Sequence, residues 1–169
     1  TEWGEGSDDV SLFEEIDREQ EMLELKKAQE WRAKRYDAGF GWITGPTEFG
    51  GRELPQAYDR AYASLEVKYK IPSQSFFGIG LGMVAPTILA RAPEKVKDLY
   101  LAKLYRGDLV ASQLFSEAGA GSDLASLKMR AVRVGDHYVI NGSKIWTTHA
   151  HHANRMFALV RTGDGPKKH

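Results

Sequence analysis

Near residue 107 the spacing of apolar side chains along this chain changes period, and that change constrains its fold more than any other feature. Up to Gly107 apolar positions recur every three to four residues, as on a helix with one buried stripe. Beyond it, short runs alternate every second residue and are separated by tight-turn signals, as in strands of a sheet. The 169 residues therefore divide into a helical part, 1–108, and a strand-forming part, 109–169. The expected class is α+β: an all-α N-terminal domain followed by the first antiparallel strands of a barrel or sandwich.

Within the helical part, Ser11-Leu12-Phe13-Glu14 has the form of a capping box, and Leu12, Ile16 and Leu23 fall on one face of a helix expected to run to about Tyr36. Gly39-Phe40-Gly41-Trp42, Gly45-Pro46 and Gly50-Gly51 exclude regular helix. A second helix opens at Pro55 with Ala57, Ala61 and Leu65 in phase. Residues 71–90 are almost uncharged and predict a buried helix. Pro93 opens a last helix with Val96, Leu99, Tyr100 and Leu104 inward, closed by Arg106-Gly107-Asp108.

In the strand part, 109–116, 128–134 and 155–161 read as strands. Gly135-Asp136-His137 is a turn and Tyr138-Val139-Ile140 a strand. Asn141-Gly142 predicts a hairpin with 145–148 as its return strand.

Composition excludes several classes. There is no cysteine, so no disulfide, thiolate metal site or cysteine nucleophile arises in this chain. No apolar run approaches the roughly 20 residues that span a bilayer, and no secretory signal pattern opens the sequence. A cytoplasmic location is expected, or the mitochondrial matrix in a eukaryote. The 23 basic and 23 acidic side chains cancel, yet residues 1–30 carry 11 acidic against 3 basic and residues 124–169 carry 8 basic against 2 acidic. No basic run with interleaved aromatics points to nucleic acid.

Two stretches carry chemistry. From Ala118 to Gly121 no side chain exceeds a methyl group, so backbone N–H groups can approach a ligand closely, and Ser116 and Ser122 flank this loop with hydroxyls. Alone, such a loop also suits a plain surface turn. It is neither a Walker A loop nor a dinucleotide fingerprint. The second stretch, Asn141-Gly142-Ser143-Lys144-Ile145-Trp146-Thr147-Thr148, sets an indole beside two hydroxyls, which suits a flat heteroaromatic ring or, equally, a core position. His149 and His151 could share a strand face and bind a metal. With no carboxylate or thiolate nearby in sequence they read better as polar strand-end residues, and no metal site is expected.

Taken together, Glu117 to Asp123, ending Ala-Gly-Ser-Asp, and Gly142 to Thr148, with Gly-x-Lys-x-Trp and a following Thr, resemble the acyl-CoA dehydrogenase family. So does the segment from Gly39-Phe40-Gly41-Trp42 to Glu48-Phe49-Gly50-Gly51. The resemblance implies non-covalent FAD. It places Gln113, Phe115, Ser116, Gly121 and Ser122 along one edge of the isoalloxazine and Trp146, Thr147 and Thr148 over the ring, with Ser122 also reaching the pantetheine of an acyl-CoA substrate. It implies α,β-desaturation of the thioester, a glutamate base in a C-terminal domain absent here, an electron-transfer flavoprotein as acceptor, and a homo- or hetero-oligomer. No catalytic residue is expected in this chain, which alone should be inactive. Glu117 matches a loop position and is given no catalytic role. The chain departs from the family at Ala118, commonly proline, and at His149-Ala150-His151-His152, where many members have Asn. Alternatives are an oxygenase or oxidase on the same fold, or a non-catalytic subunit.

Overall fold

The computed structural model describes residues 17–163 and residue 165. The capping box at Ser11-Leu12-Phe13-Glu14 lies outside the described residues, as does Ile16. Helix α1 spans Arg18–Asp37 and buries Leu25, Ala28 and Arg32, three positions one turn or two apart. Leu23, expected on the inner face, is exposed, so the buried stripe is rotated from the one read in the sequence. Helix α2, Gln56–Glu66, follows Pro55 as expected and buries no residue fully. It is tied down by its edges: Phe40 stacks on Tyr62, and Arg35 pairs with Glu66 at 3.4 Å.

The uncharged run 71–90 is not one helix. A 3-10 turn at Ser75–Phe77 leads to a π-helical turn at Gly80–Val84 and then to α3, Ala85–Arg91. Pro86 has no N–H to offer the carbonyl four residues back, so a continuous α-helix would leave Gly82 without its donor. The chain instead widens to a bond from the Ala85 N–H to the Gly80 carbonyl before Pro86 enters the first turn of α3. Helix α4, Glu94–Arg106, lies between Pro93 and Gly107 as predicted, and Gly107 caps it at φ 89°. Its buried residues are Leu101 and Leu104, while Leu99 faces solvent.

Two apolar clusters hold these helices together. One gathers Trp42, Phe49, Leu101 and Leu104 with Val84 and Leu109, and Trp42 stacks on Tyr105 at 3.8 Å. The other gathers Leu25, Ala28, Phe76, Phe77 and Val110. Arg32 enters beside it, with its guanidinium 5.1 Å from the Phe77 ring and donating to Gln74 at 3.1 Å. Burial pulls that guanidinium down to about 10. Asp37 and Arg106 join the C-terminal ends of α1 and α4 through two bonds of 2.9 and 3.0 Å.

Gly50 shows how tightly the Gly-rich connection is built. It adopts φ 85°, and a Cβ there would stand 1.7 Å from the Tyr36 hydroxyl, which donates to the Phe49 carbonyl. Gly50→Ala is therefore expected to cost at least the ~1–3 kcal/mol of a non-glycine left-handed residue. A thermal melt beside Gly82→Ala, whose added Cβ meets nothing within 4 Å, checks this. Equal melting temperatures would refute it.

The strands begin where the helices end. Strand β1, Ala111–Leu114, pairs in parallel with β4, Arg155–Ala158, with Ala111 opposite Arg155 and Leu114 opposite Ala158. Strands β2, Arg130–Val134, and β3, His137–Asn141, pair antiparallel, with Val134 opposite His137. The antiparallel expectation thus holds for β2–β3 and not for β1–β4. A bridge between Arg130 and Arg161 links the two pairs. The residues just before and at the start of β1 join both clusters, Val110 in one and Leu109 and Ala111 in the other, so strand and helices share a core.

The predicted hairpin at Asn141-Gly142 does not form. The two-residue turn is at Gly135-Asp136, with Gly135 at φ 64°. Gly142 instead lets the chain pass close to Met129, whose side chain would lie 2.8 Å from an added Cβ. Residues 143–147 form no regular strand, because Trp146 adopts φ 56° and His149 follows at φ 54°. Among the described residues no helix is long and apolar enough to cross a membrane.

Candidate functional site

The small-residue loop leaves the C-terminal end of β1 and closes on itself. The Glu117 N–H donates to the Ala120 carbonyl at 2.9 Å and the Ala120 N–H returns to Glu117 at 3.1 Å. This pair leaves Ala118 and Gly119 exposed at the tip while Ala120 is buried. The side chain of Glu117 fixes the loop from below. Its carboxylate accepts from the backbone N–H of Lys128 at 2.7 Å, from that of Met129 at 2.9 Å and from the Lys144 ammonium at 2.9 Å. Lys144 also donates to the Phe115 carbonyl at 3.0 Å, and its side chain is 2% exposed.

Partial burial pushes the Glu117 carboxyl up, but the Lys128 N–H, the Lys144 ammonium and the Met129 N–H together bring it down to about 2. A carboxylate so engaged is a poor proton acceptor near neutral pH. Its role is structural, and it joins three segments distant in sequence.

The segment 144–148 lies beside β1 rather than beside β3. The Ile145 N–H donates to the Ser116 carbonyl at 3.0 Å, and the Ser112 hydroxyl donates to the Thr148 carbonyl. Partners on the segment fall in number as those on β1 rise, so the two run antiparallel. Ser112 is wholly buried and its one hydroxyl is satisfied there. Sequence reasoning missed Ser112 and carried Lys144 only within the Gly-x-Lys-x-Trp motif, without a role. Lys144 is the only charged residue between Arg133 and Arg155 apart from Asp136 and the histidines, which is the signal that could have singled it out.

The predicted contact residues divide accordingly. Phe115 and Ser116, past the end of β1, accept through their carbonyls from Lys144 and Ile145 of the segment bearing Trp146, Thr147 and Thr148, while Gln113 lies on β1 opposite Phe157 of β4. Gly121 and Ser122 lie exposed on the loop that Glu117 anchors. Trp146 is 87% exposed, so its indole is a free plane rather than a core residue. Phe115 is half-buried against Phe157, with ring centroids 5.6 Å apart.

These residues fit one wall of a flavin site. Buried Gln113 Oε1 has no hydrogen-bond partner, an acceptor left open. Nothing lies within 4 Å of a Cβ built on Gly119 or Gly121, so the loop backbone is unobstructed. The exposed indole supplies an apolar plane.

The family model for the acyl-CoA dehydrogenase N-terminal domain matches residues 10–108, and that for the middle domain matches residues 112–169. The chain belongs to the acyl-CoA dehydrogenase family. Among its relatives, acyl-CoA dehydrogenase FadE26 of Mycobacterium tuberculosis is 39% identical over 76% of this chain and 33% of its own length. The (2S)-methylsuccinyl-CoA dehydrogenase of Cereibacter sphaeroides is 37% identical over 75% of this chain and 23% of its own length. The chain thus spans a third or less of these two relatives. Of solved structures, the Tcur3481-Tcur3483 steroid ACAD superposes with a TM-score of 0.69 at 30% identity, over 88% of this chain and 40% of that one. The ChsE4-ChsE5 complex of M. tuberculosis gives 0.68 at 30% identity, over 90% and 45%.

Proposed function

We propose that this chain supplies the N-terminal helical domain and one flavin-facing wall of an FAD-dependent acyl-CoA dehydrogenase acting on an acyl-CoA thioester. The observation that carries the reading is the arrangement around β1. A solvent-facing indole and a small-residue loop are held by a shared Glu117–Lys144 anchor, with their outward faces left open. When bound, the flavin supplies the hydride acceptor for α,β-desaturation of the thioester. Trp146, Thr147 and Thr148 cover the ring. Gln113, Phe115, Ser116, Gly121 and Ser122 line its edge, with Ser122 also meeting the pantetheine arm. Glu117 is excluded as the α-proton acceptor because its carboxylate is fully committed. The reading takes that base from the length that the relatives have beyond this span. Neighbours named as the Tcur3481-Tcur3483 steroid ACAD and as the ChsE4-ChsE5 complex support an oligomer of like or paired chains, and an electron-transfer flavoprotein is the expected acceptor.

The test uses the full-length protein. It is expected to purify yellow and to bleach anaerobically with an acyl-CoA from a panel that includes steroid-derived thioesters. Trp146→Ala should reduce retained flavin at least about tenfold, in line with ~1.4 kcal/mol of lost ring contact. Unchanged flavin content in that variant would remove Trp146 from the wall. A colourless protein that no acyl-CoA alters would refute the dehydrogenase reading.

A further inference from the structure

The loop that follows Thr148 brings two imidazoles to a carboxylate from α1. The Nε2 atoms of His151 and His152 each lie 3.0 Å from the same oxygen of Glu21, 130 residues away in the case of His151. The three candidate ligand atoms lie within 4.8 Å of one another. His152 is almost wholly buried, its side chain 3% exposed. Its Nε2 makes no hydrogen bond despite the short approach to Glu21. A buried imidazole nitrogen that faces a carboxylate without an aligned bond is costly as a plain polar contact and well suited to a lone-pair donor. The rings of His151 and His152 stand 3.9 Å apart, and Phe76 packs edge-on against His152, which limits its rotation.

We propose that Glu21, His151 and His152 form a zinc site that fastens α1 to the loop after Thr148. In a tetrahedral zinc site with bonds of about 2.0–2.1 Å, neighbouring ligand atoms are separated by about 3.3 Å. The two 3.0 Å approaches are near that spacing, and small side-chain rotations close the remainder. Two imidazoles and one carboxylate select a first-row transition ion over magnesium or calcium, which take oxygen ligands. His151 is half exposed, so the ion has a path in and a fourth position for water. The site does not depend on the flavin reading, because none of its ligands lies among the residues assigned to the flavin wall. It would nonetheless restrain the chain three residues beyond Thr148.

The metal-stripped full-length protein, titrated with zinc chloride in a calorimeter, is expected to bind one equivalent at this site and to melt at a higher temperature once loaded. Glu21→Gln and His152→Gln should each weaken binding at least about tenfold, the lower end of what even outer-sphere changes cost. His137→Gln, on β3 away from the cluster, should bind as the parent does. Circular dichroism checks that the variants fold. If either ligand variant does not fold, the parent loaded with cobalt(II) decides: intense visible bands of a low-coordinate site support the proposal, and the pale spectrum of the hydrated ion overturns it. Equal zinc binding by the parent and the folded Glu21→Gln/His152→Gln double variant would also overturn it.

Discussion

Lys144→Met is expected to lower the stability of this chain by about 3–5 kcal/mol, the usual cost of breaking a buried ion pair from one side. The Lys144 side chain is 2% exposed and Glu117 11%, so the carboxylate left behind would have little water to turn to. It would keep the Lys128 and Met129 N–H bonds, while the Phe115 carbonyl would lose its donor. Urea unfolding measures the change, and a loss under about 1 kcal/mol would mean that the pair behaves like a surface contact. Because a buried pair can often be replaced whole at little cost, Glu117→Leu/Lys144→Met should recover part of the single variant's loss. The same clamp gives a pH signature. The Glu117 carboxyl is lowered in the folded chain from an ordinary 4.5 to about 2. Its contribution is therefore complete above pH ~4.5 and fades as the pH falls toward 2. Acid unfolding of Glu117→Gln should be flatter across that window than that of the parent.

Phe77→Ala is expected to cost about 3–5 kcal/mol, the range for a large aromatic removed from a core. Phe77 is 1% exposed and packs in the cluster of Leu25, Ala28, Phe76 and Val110. Its ring also lies under the Arg32 guanidinium, so truncation opens a void beside a buried charge. Thermal denaturation with Phe77→Leu as a companion separates volume from aromaticity. If the leucine variant matches the parent, the ring face contributes nothing to holding Arg32.

How much of this was legible in the sequence depended on how far apart the interacting groups lie along the chain. The bounds of α4 were readable because Pro93 and Gly107 act on their own neighbours, and the start of α2 because Pro55 does the same. Which side of each helix is buried was less readable. Leu99 and Leu101 are both apolar, and only the docking of α4 against Trp42 and Val84 buries Leu101. The 71–90 run read as one helix because composition reports burial and not hydrogen-bond register, which Pro86 alters. The turn at Gly135-Asp136 was readable and joins β2 to β3 over five paired residues, whereas the hairpin signal at Asn141-Gly142 was not used, because the segment after it is bonded to β1 instead. The site's contact residues were readable only as a motif. The bonds that position them, Glu117 to Lys144 and Ser112 to Thr148, join residues 27 and 36 apart. Glu21 was beyond any local pattern.

The segment beside β1 is held through its backbone and through Lys144, while Trp146 points away from everything that holds it. The atoms that anchor the segment and the indole proposed to meet the flavin are thus different parts of the same five residues. The indole position can be exchanged with little effect on folding, and the lysine two residues earlier cannot. A different side chain at position 146 would therefore leave the packing around β1 as it is.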